Sequence, residues 1–215
     1  MKNDIRAVIF DSDGTLVDSE VPGMDMMHEM ALAAGVELDR DEAHARFRGE
    51  RMADIARWIG ERVVNKPEGF EEDFIRRYRA AITEHFKKHL QAMPGAFELL
   101  TRLSIPFGVA TNGPREKVLL TLDVTGLLPL VGDRIFSAYE YGCFKPDPEL
   151  FLIAAKALGQ EPRYCAVVED SIPGVVAGVA AGMQVFSLHG REGMPDHVAD
   201  HVHYIDSLTD LESCL

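Results

Sequence analysis

Ala7-Val8-Ile9-Phe10 runs directly into Asp11-Ser12-Asp13-Gly14-Thr15, and the reading of this stretch decides the fold. Apolar residues that do not alternate with polar ones predict a strand buried on both faces, as in a parallel sheet covered by helices. Asp11 and Asp13 stand two residues apart. An extended chain would put both carboxylates on one face, and Gly14 lets the backbone turn immediately afterwards. Two acids at the mouth of a central strand repel each other unless a cation or a proton lies between them. Such crowding marks a site for a divalent cation, for acid–base chemistry, or for both. The same stretch also reads as a capped turn, with Asp13 closing the loop and Thr15 bonding locally. The rest of the chain weighs between the two.

From about Val17 to Gln91 strand-like runs vanish and the chain becomes charged, Met-rich and helically periodic. Met26, Met27, Met30 and Leu32 line one expected helix. Phe70, Phe74, Tyr78, Ala81, Ile82, His85 and Phe86 recur at spacings of three and four along another. Between them Asn65-Lys66-Pro67-Glu68-Gly69 reads as a break. Both stripes are read as the packed interior of a helical subdomain.

Strand and helix then alternate. Strands are expected at Phe107-Gly108-Val109-Ala110, around Arg134-Ile135-Phe136, at Cys165-Ala166-Val167-Val168, at Gln184-Val185-Phe186-Ser187 and weakly near His203-Tyr204-Ile205. Helices are expected after Gly95, from Arg115 to about Leu122, from Asp147 as N-cap with Pro148 in the first helical position, from Ile172 to Ala181, and from Ser207. This alternation predicts an α/β fold, a Rossmann-like parallel sheet with helices on both faces. The expected core is residues 1–17 and 92–215, with 18–91 an inserted helical cap.

In open parallel sheets ligands bind beyond the carboxyl ends of the strands, and four polar constellations fall there. Asp11 and Asp13 follow the first strand, Thr111-Asn112 the second, Lys145 a third segment, and Glu169-Asp170 a fourth. Hard oxygen ligands without His or Cys suit Mg²⁺. A carboxylate able to attack phosphorus would give an aspartyl-phosphate. A second acid near the leaving oxygen could donate a proton and later take one from water. Lys145 and the Thr111 hydroxyl would stabilise charge on the transferring phosphoryl group.

Taken in order, Asp11-Ser12-Asp13-Gly14-Thr15, Thr111-Asn112, Lys145-Pro146 and Glu169-Asp170-Ser171 resemble the four motifs of the haloacid dehalogenase superfamily of phosphotransferases. The insertion after the first motif resembles the helical cap of the beta-phosphoglucomutase-like branch. Within it, Asp18-Ser19-Glu20, Phe47-Arg48-Gly49, Thr111-Asn112-Gly113-Pro114 and Lys145-Pro146-Asp147-Pro148 are most similar to sugar-phosphate and 6-phosphogluconate phosphatases. The resemblance implies a Mg²⁺-dependent phosphatase of a small phosphorylated metabolite. It makes Asp11 the nucleophile and Asp13 the general acid and base. Asp11, the Asp13 backbone carbonyl and Asp170 would bind Mg²⁺, with Glu169 reaching it directly or through water. Thr111, the Asn112 backbone amide and Lys145 would hold the phosphoryl group, and Arg48, Gly49 and Arg51 would read the substrate. Mutases of this branch carry a linker His and a cap Arg where this chain has Gly23 and Met52, which ranks hydrolysis above phosphomutase chemistry. True dehalogenases lack the second Asp of the first motif. A non-catalytic binding protein on the same fold is a third reading, weakened by the intact carboxylates.

The formal charge of −13 argues against nucleic acid or an anionic membrane as the main partner. It leaves room for a small anionic substrate, because a metal and a few cations can reverse the field inside a cleft. Cys143, Cys165 and Cys214 form no CxxC pair, so reduced thiols are expected. Met1-Lys2-Asn3-Asp4 leads straight into the first strand, leaving no room for a signal peptide, and no run approaches a membrane span; a cytoplasmic location is expected. His197, His201 and His203 read as a surface turn and edge strand, and His85 with His89 lacks a third ligand. P-loop, GxGxxG and GxSxG motifs are absent from the sequence.

Overall fold

A computed structural model describes residues 4–48 and 50–211. The chain forms two compact units, one of Met1–Val17 with Gln91–Leu215 and the other of Asp18–Leu90.

The first unit is built on six parallel strands: β1 Ala7–Phe10, β2 Phe107–Thr111, β3 Ile135–Ser137, β4 Cys165–Glu169, β5 Gln184–Ser187 and β6 Val202–Tyr204. They lie in the order β3-β2-β1-β4-β5-β6. β1 is therefore central, with Val8 opposite both Phe107 and Ala166. Every residue of β1, β2 and β4 is buried, which is why their apolar runs do not alternate. The order reverses on either side of β1, and a crevice opens at such a switch point beyond the strand ends.

The helices of the chain are α1 Glu20–Ala33, α2 Arg40–Phe47, α3 Met52–Gly60 and α4 Phe70–His89 in the second unit. In the first unit they are α5 Ala96–Arg102, α6 Arg115–Val124, α7 Leu128–Val131, α8 Ala138–Tyr141, α9 Glu149–Ala157, α10 Ile172–Ala180, α11 Asp196–Ala199 and α12 Leu208–Leu211. Leu150, Phe151 and Ala154 of α9 pack with Ile9, Val167 and Val185 of the sheet in one core. Gly178 lets α10 approach closely, since a Cβ there would meet Val185 Cγ2 at 2.9 Å. The second unit has its own core of Met27, Met30, Phe47, Ile55, Ile59 and Phe74.

Two local expectations need correction. Leu32 is 46% exposed and Ala31 takes its place in the α1 stripe, because residue 32 lies well off the face shared by 27, 30 and 31. Asp147 does not cap α9 at its own position; Pro148 is the N-cap and the Asp147 carboxylate accepts from Glu149 N at 2.9 Å, an Asx-type turn. Cys214 lies outside the described residues.

Candidate active site

The loop after β1 is folded on itself. Asp11 N donates to Val168 O at 2.9 Å, Leu16 N and Val17 N both donate to Ser12 O, and Gly14 N donates to Val17 O. Gly14 has φ +80°, a conformation that glycine adopts without strain. A Cβ at this position would overlap the Asp170 carboxylate. Glycine thus both makes the turn and admits Asp170, whose Oδ1 accepts from Thr15 Oγ1 at 3.1 Å.

Beneath the loop lies a buried charge network. Lys145 Nζ donates to Asp11 Oδ1 at 2.5 Å and to Glu169 Oε1 at 2.6 Å. The Lys145 and Glu169 side chains are 2% and 1% exposed. Burial works against the Lys145 charge, yet the Asp11 and Glu169 carboxylates outweigh it and hold the ammonium above its ordinary range. Burial pushes Asp11 up to about 7, assisted by the charges of Glu169 and Asp13 and opposed by Lys145. The second Glu169 oxygen accepts from Ser171 N and Oγ, each at 2.8 Å. Ser171 Oγ in turn caps α10 by accepting from Gly174 N at 3.2 Å. Any side chain at Gly174 would overlap the Glu169 carboxylate.

The β2 loop is tied to this network. Asn112 makes paired bonds to the Lys145 backbone, accepting from its N at 2.9 Å and donating to its O at 3.2 Å. Thr111 Oγ1 accepts from Gly113 N at 2.9 Å, and Ser137 Oγ donates to Gly113 O at 2.7 Å. Lys117, from the first turn of α6, donates to Asp13 Oδ2 at 2.7 Å.

The structure therefore brings Asp11, Lys145 and Glu169 into direct contact and ties Asn112 to them. Asp13 is held by Lys117, and Asp170 by Thr15 against Gly14. Arg48 and Arg51 are exposed and belong to the second unit: Arg48 Nε is 3.9 Å from Glu20, and Arg51 Nε is 2.7 Å from Asp54. Gly49, expected beside them, lies outside the described residues. Lys117 is absent from the expected site, and Ser171 stands there only as the last residue of the fourth motif, with no role of its own. A lysine early in a helix carries no chemical signature by itself, and Ser171 reads as an ordinary N-cap.

No group of three His, Cys, Asp or Glu residues that could hold a metal ion is found among the described residues. Mg²⁺ does not require such a cage, since it binds through one or two carboxylates and keeps several waters. The residues present fit it. Four carboxylates, Asp11, Asp13, Glu169 and Asp170, face two ammoniums, Lys117 and Lys145, leaving a formal −2. Asp11, Asp170 and the Asp13 carbonyl are the hard oxygens that would hold the ion, with Lys145 on one Asp11 oxygen and Thr15 on one Asp170 oxygen. Among the described residues no helix is long and apolar enough to cross a membrane.

Comparison with known proteins places the chain in a family. A family model of haloacid dehalogenase-like hydrolases matches residues 5–182. The chain is 37% identical over 183 residues to 6-phosphogluconate phosphatase of Escherichia coli K12, covering 85% of this chain and 81% of that protein. A HAD family hydrolase of Deinococcus radiodurans, solved with phosphate and sodium bound, superposes with a TM-score of 0.80 at 30% identity, covering 98% and 95% of the two chains. A beta-phosphoglucomutase-like protein of Thermotoga maritima gives 0.81 at 26% identity, covering 98% and 100%. Family model, relatives and fold converge: the chain belongs to the haloacid dehalogenase-like hydrolases, and it is one of their phosphatases.

Proposed function

We propose that the protein is a Mg²⁺-dependent phosphomonoesterase acting on a small phosphorylated sugar or sugar acid, with 6-phosphogluconate the first substrate to test. The observation that carries this reading is Asp11, buried at the end of the central strand with Lys145 Nζ 2.5 Å from its carboxylate. A carboxylate so placed has the geometry of a nucleophile beside a cation that can meet the phosphoryl oxygens. The 37% identity to a 6-phosphogluconate phosphatase supports the substrate class.

In this reading an Asp11 oxygen attacks phosphorus and the ester oxygen departs with a proton from Asp13. Asp13 then takes a proton from water, which attacks the aspartyl-phosphate and releases inorganic phosphate. Lys145, the Thr111 hydroxyl and the Asn112 backbone amide hold the phosphoryl oxygens. When bound, Mg²⁺ neutralises part of the charge on the transferring group. Glu169 serves first as the counter-ion that keeps Lys145 charged and in place. The helical unit is assigned the role of a cap that selects the substrate, with Arg48, Gly49 and Arg51 as its readers; guanidinium groups suit a sugar-acid carboxylate.

The test is phosphate release from a panel of phosphorylated metabolites with Mg²⁺, repeated after chelation. Turnover should stop in EDTA, return with Mg²⁺, and be abolished in Asp11→Asn. Full activity in EDTA would overturn the metal assignment, and near-normal Asp11→Asn rates would favour direct attack by water. Arg48→Ala and Arg51→Ala should lower kcat/KM for a sugar acid far more than for p-nitrophenyl phosphate. The likeness to the Thermotoga protein keeps a phosphomutase as the second reading; conversion of β-glucose 1-phosphate to glucose 6-phosphate would favour it.

A further inference from the structure

We propose that Lys117 is a positioning residue for Asp13: it fixes one carboxylate oxygen so that the other delivers the proton to the departing alcohol. The inference rests on the reading of Asp13 as general acid and base.

Lys117 Nζ lies 2.7 Å from Asp13 Oδ2 across 104 positions of sequence. Its backbone is held firmly, because Lys117 N donates to Pro114 O at 3.0 Å in the first turn of α6. Val118, Thr121 and Leu122 bury that helix in the core. Asp13 Oδ2 also lies against the β2 loop: a Cβ built on Gly113 would stand 3.6 Å from this oxygen and 3.3 Å from Thr111 Oγ1. The ion pair therefore fastens the Asp13 side chain to the segment that carries Thr111 and Asn112, the groups assigned to the phosphoryl oxygens. Stability does not account for the pair. Its side chains are 39% and 25% exposed, and pairs of that exposure contribute little to folding.

The proton balance follows. The Asp11–phosphorus bond forms as the ester P–O bond breaks, and the proton on Asp13 Oδ1 passes to the ester oxygen. Lys117 keeps all its protons and remains on Oδ2. The Lys117 bond is one restraint on where the proton-bearing oxygen lies, and misplacement by about 1 Å can lower a rate up to about 100-fold.

The experiment compares Lys117→Met, Lys117→Arg and Asp13→Asn in single-turnover ester cleavage. One substrate is an alkyl phosphate cleaved by the wild-type protein. The other is p-nitrophenyl phosphate, whose leaving group departs without protonation. Lys117→Met should slow the alkyl ester about tenfold and the nitrophenyl ester less than about twofold, with KM unchanged. Lys117→Arg should recover most of the loss, and the melting temperature of both variants should stay within about 2 °C of wild type. Asp13→Asn should show the same leaving-group preference on a larger scale. If Asp13→Asn slows both esters equally, the general-acid reading itself falls. If Asp13→Asn shows the preference but Lys117→Met slows both esters alike, slows neither, or acts through KM, the positioning role is overturned.

Discussion

Replacing Lys145 with methionine keeps an unbranched side chain of similar bulk while deleting the charge between Asp11 and Glu169. The structure sets the size of the effect. Lys145 makes its 2.5 and 2.6 Å bonds to carboxylates that are 10% and 1% exposed. Removing one partner of a buried ion pair costs about 3–5 kcal/mol, because the other charge stays behind uncompensated. The stranded carboxylates can escape by binding a proton. From an ordinary value near 4, protonating one carboxyl costs about 4 kcal/mol at pH 7 but only about 1.4 kcal/mol at pH 5. The variant should therefore be about 4 kcal/mol less stable at pH 7, with a deficit of about 1–2 kcal/mol at pH 5. The sign follows from proton uptake: the folded variant holds protons that the unfolded chain has already lost, so its deficit grows as pH rises. Urea denaturation of wild type and Lys145→Met at both pH values, with Mg²⁺ chelated, measures it. A deficit below about 1 kcal/mol at pH 7, or one equal at the two pH values, would refute the view of Lys145 as the cation balancing a buried carboxylate pair.

Asp11 itself should make the metal-free protein pH-sensitive. Its folded value of about 7 exceeds the ordinary 3.8, so stability intact below pH 4 should fall by up to about 4 kcal/mol as pH rises through 7, and Asp11→Asn should flatten that slope in thermal melts. Gly174→Ala should cost about 2–4 kcal/mol, because the added methyl must displace the Glu169 carboxylate that holds Lys145 and Ser171; a neutral result in denaturant titration would show that α10 can shift aside. Ser12 Oγ is buried with no hydrogen-bond partner, so Ser12→Ala should leave stability unchanged or raise it by about 1 kcal/mol, and a loss above that would reveal a partner for the hydroxyl.

Much of the fold was legible because burial on both faces leaves an unmistakable pattern in the chain. Ala7–Phe10 and residues 165–168 read as unbroken apolar runs because neighbours flank them and helices cover them, and polarity returns only at the strand end with Glu169. The site was legible for a topological reason: parallel strands discharge their polar residues at one edge, so Asp11 and Lys145 meet although 134 positions separate them. What escaped the reading depends on side-chain direction. Lys117 looks like any solvated lysine near a helix start, and only the turn at Gly14 brings Asp13 within its reach. The structure gives both Glu169 oxygens partners within the protein, a detail invisible to spacing, which can say only that an acid follows the strand. Leu32 was misplaced for the same reason, since hydrophobicity marks a helix but a single angular step decides which residue turns inward.

Val17 and Ala92 form an antiparallel bridge, and Met93 N donates to Leu16 O at 2.9 Å. The backbone leaves the sheet unit and re-enters it through one paired stem, whose two sides both belong to that unit. Lengthening or shortening a loop closed in this way changes its closure entropy by only about 0.6 kcal/mol per doubling. The stem is thus a standard socket, into which a foreign helical module, or a plain hairpin, could be grafted while the carboxylates and lysines keep their places. Val17 also bridges to Asp13, so a graft must begin beyond that residue to spare the reacting loop. If the inserted helices choose the substrate as proposed, bond-breaking and choice of ester are separately heritable, and recombination at this single joint could retarget the enzyme without re-evolving its chemistry.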